Sequence, residues 1–117
     1  MATVLLVEDN DDVREMMSVA LQLAGITVLA AGNGREALDQ LEAAEAPCLI
    51  LLDLMMPVMD GWELREALSA NPHYSEIPVV VVSAMTEDTA ARLGAIAYLP
   101  KPVDIDRMLD VVCEYCR

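Results

Sequence analysis

Positive charge is scarce in this chain: lysine occurs once, at Lys101, and seven basic residues face twenty acidic ones for a net charge of −13. Contact with a phosphate backbone or an anionic membrane needs clustered Lys and Arg, so the deficit argues against direct nucleic-acid or membrane binding and suits a cation site. Long apolar runs are also missing, since no stretch approaches the ~18 residues of a membrane span. The N-terminal MATVLLVEDN has no basic n-region or cleavage site, and the reading is a cytoplasmic protein. Cysteine is sparse and odd in number, three in all, unlike a secreted disulfide framework. The CEYC pair, Cys113 and Cys116, has the spacing of a redox or metal half-site. However, Ile105, Met108, Leu109, Val112, Cys113 and Cys116 recur at helical spacing, which directs both thiols to the core. Low complexity, internal repeats and linkers are absent.

What is present is core material. With 56% hydrophobic residues and a mean hydropathy of +0.39, the 117 residues suffice for one domain, 1–117, around a single core. Short β-rich runs alternate with helical patterns five times. TVLLV (3–7) is followed by a helix capped by Asn10 or Asp11, with Val13, Met16, Met17, Ala20, Leu21 and Ala24 as its apolar stripe and Gly25 as its stop. ITVLAA (26–31), a Gly32-Asn33-Gly34 turn and a helix with Ala37, Leu38, Leu41 and Ala44 inward form the second unit. CLILLD (48–53) precedes a helix after Gly61 carrying Trp62, Leu64, Ala67 and Leu68. PVVVVSA, opened by Pro78, is the β-branched run expected of a strand buried on both faces. A short helix four lies within 86–93, a fifth strand at about 95–99 and a last helix over 104–116. Five strand–helix units with right-handed crossovers predict an α/β fold, a doubly wound five-stranded parallel sheet with five helices, flavodoxin-like in topology.

In such sheets the ligand crevice lies outside the carboxyl ends of the strands. Those ends carry Glu8-Asp9, Asp53, Ser83 and, after the fifth strand, Lys101-Pro102. If the first and third strands are neighbours, three carboxylates converge. Two unit charges ~4 Å apart cost roughly 4 kcal/mol at an effective dielectric near 20, so a positive partner is required. A hard divalent cation such as Mg²⁺ is one candidate and Lys101 the other. Six of the seven basic residues are arginine, so a coding bias can account for a single lysine. Its placement between two prolines beside the carboxylates favours a role in neutralising phosphoryl oxygens.

From the Glu8-Asp9 pair after VLLV, through LLDLMMPVMDG and Ser83 at the end of PVVVVSA, to AYLPKP with Tyr98 three residues before Lys101, the whole chain resembles a response regulator receiver domain of two-component signalling. The resemblance implies strand order 2-1-3-4-5. It further implies that Asp53 accepts a phosphoryl group from a sensor histidine kinase or phosphotransfer protein. Mg²⁺ would be held by Asp9, Asp53 and the Met55 backbone carbonyl, with Glu8 acting through a metal-bound water and Lys101 offsetting phosphoryl charge. Ser83 would be the switch hydroxyl and Tyr98 the residue that changes rotamer, with a core-packed Tyr98 as the alternative. The protein would catalyse only its own phosphorylation and dephosphorylation and would control an output protein or domain the sequence does not name, as a monomer or weak dimer. It would be a stand-alone receiver or part of a longer regulator. Pro102 is expected to follow a cis bond, Pro57 and Asp60-Gly61 to shape the turn after Asp53, Asp11 and Asp12 to favour the first helix N-terminus, and His73 to be a surface residue.

Two departures stand out. Ser83 to Lys101 spans 18 residues, about four fewer than is usual in the family, or roughly one helical turn. The output surface therefore cannot be copied from relatives, and the shortened segment is expected to be more mobile than helix three. Met55 and Met85, each two residues past a site residue, supply no acid or base to activate water, which predicts slow self-dephosphorylation. Among rivals, a phosphohydrolase using Asp9-Asn10-Asp11 leaves Ser83 and Tyr98 unexplained and has no inserted cap. A flavin-binding module would have its phosphate repelled by Glu8-Asp9-Asn10-Asp11. A pure interaction platform would have no use for the full set of site residues.

Overall fold

The computed structural model describes residues 2–43, 46–53, 61–84, 92 and 94–116. Among them lie β1 (Thr3–Val7), α1 (Asp11–Leu23), β2 (Thr27–Ala31), α2 (Gly34–Ala43), β3 (Leu49–Leu52), α3 (Gly61–Ala70), β4 (Val79–Ser83), β5 (Ala97–Pro100) and α4 (Ile105–Tyr115). The strands form one parallel sheet in the order β2-β1-β3-β4-β5, as the resemblance implies. The short helix expected within 86–93 lies outside the described residues apart from Arg92, so four helices are described.

Alternation along each strand sends successive side chains to opposite faces, and the sheet has a core on both. Leu5, Val7, Ile50, Leu52, Val79 and Val81 pack with Ala37 and Leu41 of α2 and Leu64 and Leu68 of α3. Val4, Leu6, Leu49, Leu51, Val80 and Val82 pack on the other face with Met17 and Leu21 of α1 and Met108, Val111 and Val112 of α4. Every residue of β3 and β4 is buried, which is why these strands read as unbroken apolar runs. Asn10 caps α1 by accepting the Val13 N–H at 3.0 Å, and Asp104 does the same for α4 from Arg107. Past α1, Gly25 adopts φ +84, a left-handed conformation that a Cβ disfavours.

The sequence stripes are too broad at three points. Met16 is 44% exposed because the buried line of α1 runs through Met17 and Leu21 and Met16 falls to its flank, and Ala24 is exposed because it is the C-cap, beyond the last residue of α1 at Leu23. Trp62, 39% exposed, lies on the outer side of α3. The expected inward pair of thiols is corrected in part, since Cys116 packs against the core face that includes Met108 and Val112 and Cys113 does not. Cys113 is exposed and free, whereas Cys116, the C-cap of α4, is disulfide-bonded to Cys48 at the start of β3. Ala44 lies outside the described residues.

Candidate functional site

Parallel pairing decides what meets at the carboxyl edge of the sheet. β1 and β3 run in register with Val7 opposite Leu52, and the Asp53 N–H donates to the Val7 carbonyl at 2.9 Å. Glu8 and Asp53 are therefore the next residues on adjacent strands. On the far side, Ser83 lies opposite Pro100, and the Lys101 N–H donates to the Ser83 carbonyl at 3.1 Å. Register alone thus gathers four polar residues where apolar strands end.

Glu8 and Asp53 are 1% and 3% exposed, and Asp9 is exposed. Lys101 reaches between the buried pair: its Nζ lies 2.7 Å from Glu8 Oε1 and donates to Asp53 Oδ2 at 3.2 Å. Burial pulls the lysine pKa down, but Glu8 and Asp53 together outweigh it and hold the ammonium above the usual lysine range. The Lys101–Pro102 bond is cis, as expected.

Glu8 is fixed on several sides. Its N–H donates to the Ala31 carbonyl at 3.0 Å, and its Oε2 accepts the Asn10 N–H at 3.2 Å. Its carbonyl accepts Arg14 Nη1 at 2.9 Å, while Arg14 Nη2 donates to Asp11 Oδ1 at 2.6 Å. Arg14 escaped the sequence reading, because its contact is to a main-chain carbonyl.

One carboxylate oxygen from each of Glu8, Asp9 and Asp53 lies within 4.8 Å of the others. Lys101 neutralises one of these three charges, and the remaining two match a divalent ion. Buried Glu8 Oε1, close to Lys101 but without an aligned hydrogen bond, retains acceptor capacity. This all-oxygen set fits a hard divalent cation. Asp11 does not join it; it stands in the first turn of α1, 86% exposed at the side chain and paired with Arg14. The Asp-x-Asp spacing of the phosphohydrolase reading therefore does not become a site.

Ser83 is fully buried at the end of β4, and the Tyr98 hydroxyl donates to its carbonyl at 3.3 Å. Tyr98 itself is half-buried against the core face that includes Val79 and Val81. His73 is exposed, as expected. Met55, Pro57, Asp60 and Met85 lie outside the described residues.

This fold, with this edge, is that of a receiver domain, and comparison agrees: the model for the response regulator receiver domain matches residues 4–113, and the chain belongs to that family. It is similar to the chemotaxis protein CheY4 of Vibrio cholerae, whose structure superposes with a TM-score of 0.89 at 33% identity over 98% of each chain. Protein PilH of Pseudomonas aeruginosa is 32% identical over 116 residues, which cover 96% of this chain and 95% of PilH. The regulatory protein AtoC of Escherichia coli is 38% identical over 109 residues, and there the chain spans only 23% of the relative. Among the described residues no helix is long and apolar enough to cross a membrane.

Proposed function

We propose that Asp53 is the phosphoacceptor of this receiver domain, taking a phosphoryl group from a sensor histidine kinase or phosphotransfer protein in the cytoplasm. One observation carries the reading: a half-buried lysine ammonium within 3.2 Å of Asp53 Oδ2 and within 2.7 Å of Glu8 Oε1, beside three converging carboxylates.

In this reading an Asp53 carboxylate oxygen attacks phosphorus, the P–N bond of the donor phosphohistidine breaks, and the imidazole leaves with the bond electrons. Asp9 and Asp53 would hold Mg²⁺, joined by the Met55 carbonyl that family resemblance adds, with Glu8 acting through water. A divalent ion held there would supply positive charge to offset that of the phosphoryl oxygens. Lys101 supplies the second positive charge and keeps it across the physiological range. Sheet register holds Asp53 still, which is what a reaction governed by positioning requires.

Ser83 Oγ is the proposed switch donor. A new bond from it to a phosphoryl oxygen draws the end of β4 toward Asp53 and disturbs the Ser83 carbonyl that the Tyr98 hydroxyl now holds. Tyr98 then carries the change to an output partner. The test is incubation with Mg²⁺ and acetyl phosphate followed by intact-mass analysis. One phosphoryl adduct per chain, abolished by EDTA, is expected; steady phosphate release from generic phosphate esters would instead revive the phosphohydrolase reading.

A further inference from the structure

The three cysteines converge at the end of the molecule opposite Asp53, where the proposed phosphoryl chemistry has no use for them. Cys48 leads into β3, whose other end delivers Asp53, and it is bonded to Cys116 at the C-cap of α4, 68 positions along the chain. Cys113 stands one helical turn before Cys116 on α4 and is exposed. Helix geometry places residues three apart with Cα atoms ~5 Å from each other, inside the ~4.4–6.8 Å across which disulfides form, and Cys116 is the C-cap, already off helical geometry at φ −117, ψ 42, so a small turn of the helix end brings the two Cβ atoms to bridging distance. Cys48 Sγ also lies 3.1 Å from the Thr3 carbonyl oxygen, so a thiol released there has an acceptor waiting. Both partners of the bridge are only half-buried, and the third sulfur is in solvent.

We propose that Cys48, Cys113 and Cys116 form a thiol–disulfide exchange site, with thiols and disulfides of the glutathione class as its co-reactants. The Cys113 thiolate attacks Cys116 Sγ. A Cys113–Cys116 bond forms, the Cys48–Cys116 bond breaks, and Cys48 leaves with the electron pair and takes up the proton that Cys113 gave to solvent, with no net oxidation. The end of α4 is thereby untied from β3. The transferred bridge includes the exposed sulfur, and an external thiolate attacks it there to give a mixed disulfide on Cys113 and a Cys116 thiolate. A second external thiol releases Cys113, so that two external thiols are oxidised to one disulfide while the protein bridge is reduced. Reversal of these steps restores the bridge from the external disulfide. Cys113 is thus the entry point, and the bridge is a reversible tether between the last helix and the strand that carries Asp53.

The test is disulfide mapping by peptide mass spectrometry after acid quench, together with reduction kinetics, on the intact chain in glutathione buffers. Wild-type protein is expected to yield both Cys48–Cys116 and Cys113–Cys116 peptides, and oxidised Cys48→Ser protein to hold the Cys113–Cys116 bridge. Cys113→Ser should keep the Cys48–Cys116 bridge but be reduced roughly tenfold more slowly by ~0.1 mM glutathione, since a tethered thiol acts at millimolar effective concentration. Equal reduction rates for Cys113→Ser and wild type, absence of any Cys113–Cys116 peptide, or three free thiols at every glutathione ratio would each overturn the proposal.

Discussion

Replacing Lys101 by Met, which keeps length and apolar bulk but removes the charge, takes an ammonium away from two buried carboxylates. The Glu8 and Asp53 side chains are 1% and 4% exposed, and Lys101 Nζ lies within 3.2 Å of both. Removing one partner from a fully buried ion pair costs about 3–5 kcal/mol. The Lys101 side chain is 25% exposed, and solvent screening brings the expected loss to roughly 2–3 kcal/mol. With a urea m-value of about 1.5 kcal/mol/M, the unfolding midpoint of Lys101→Met in EDTA should fall by about 1.5 M. Mg²⁺ should then recover most of that loss, because the divalent ion takes over the compensation; at a hundred times its Kd it contributes about 2.7 kcal/mol to any folded form that binds it. The variant, relieved of a competing ammonium, should gain more than wild type. The pH dependence has a definite sign. Lys101 has its folded-state pKa raised, so its contribution is fully present below the unfolded lysine value of about 10.4 and disappears as pH rises through the higher folded value. The gap between wild type and variant should therefore hold from neutral pH to about pH 10 and close above it. A midpoint in EDTA within experimental error of wild type, or a gap that Mg²⁺ leaves unchanged, would refute the reasoning.

Arg14→Ala should weaken Mg²⁺ binding several-fold, measured by calorimetry, while costing at most about 1 kcal/mol of stability, because it loosens the Glu8 main chain without opening the core. Leu51→Ala, fully buried between β1 and β4, should lose about 2–5 kcal/mol in urea unfolding. Gly25→Ala meets no atom within 4 Å but is forced to φ +84, and thermal unfolding should show a loss of about 1–2 kcal/mol from backbone strain alone.

Legibility in the sequence followed the range of the forces involved. β4 was plain because VVVV is buried on both faces, and the polar strand ends followed from the strands that carry them. β5 is Ala97–Pro100 where the sequence suggested about 95–99. Proline marks a strand's end in most contexts, but β5 is the edge of the sheet, where the missing N–H costs little and Pro100 still pairs with Ser83. Helical periodicity placed Met17 and Leu21 correctly yet drew in Met16, since an apolar residue a sixth to a third of a turn off the stripe reads the same on either side of the solvent boundary. Least legible were contacts between distant residues. Nothing near Cys116 announces Cys48, 68 positions away, and Arg14 acts on a main-chain carbonyl, which leaves no pattern in side chains.

The central claim, that Asp53 is the nucleophile, is tested most directly by locating the phosphoryl group. After reaction with Mg²⁺ and acetyl phosphate, borohydride reduction converts an aspartyl phosphate to homoserine, and peptide sequencing by mass spectrometry reads its position. Homoserine at position 53, absent without Mg²⁺ and absent from Asp53→Asn, is the predicted result. Modification at Glu8 or Asp9 instead, equal labelling of Asp53→Asn, or no labelling with any small phosphoryl donor would contradict the account.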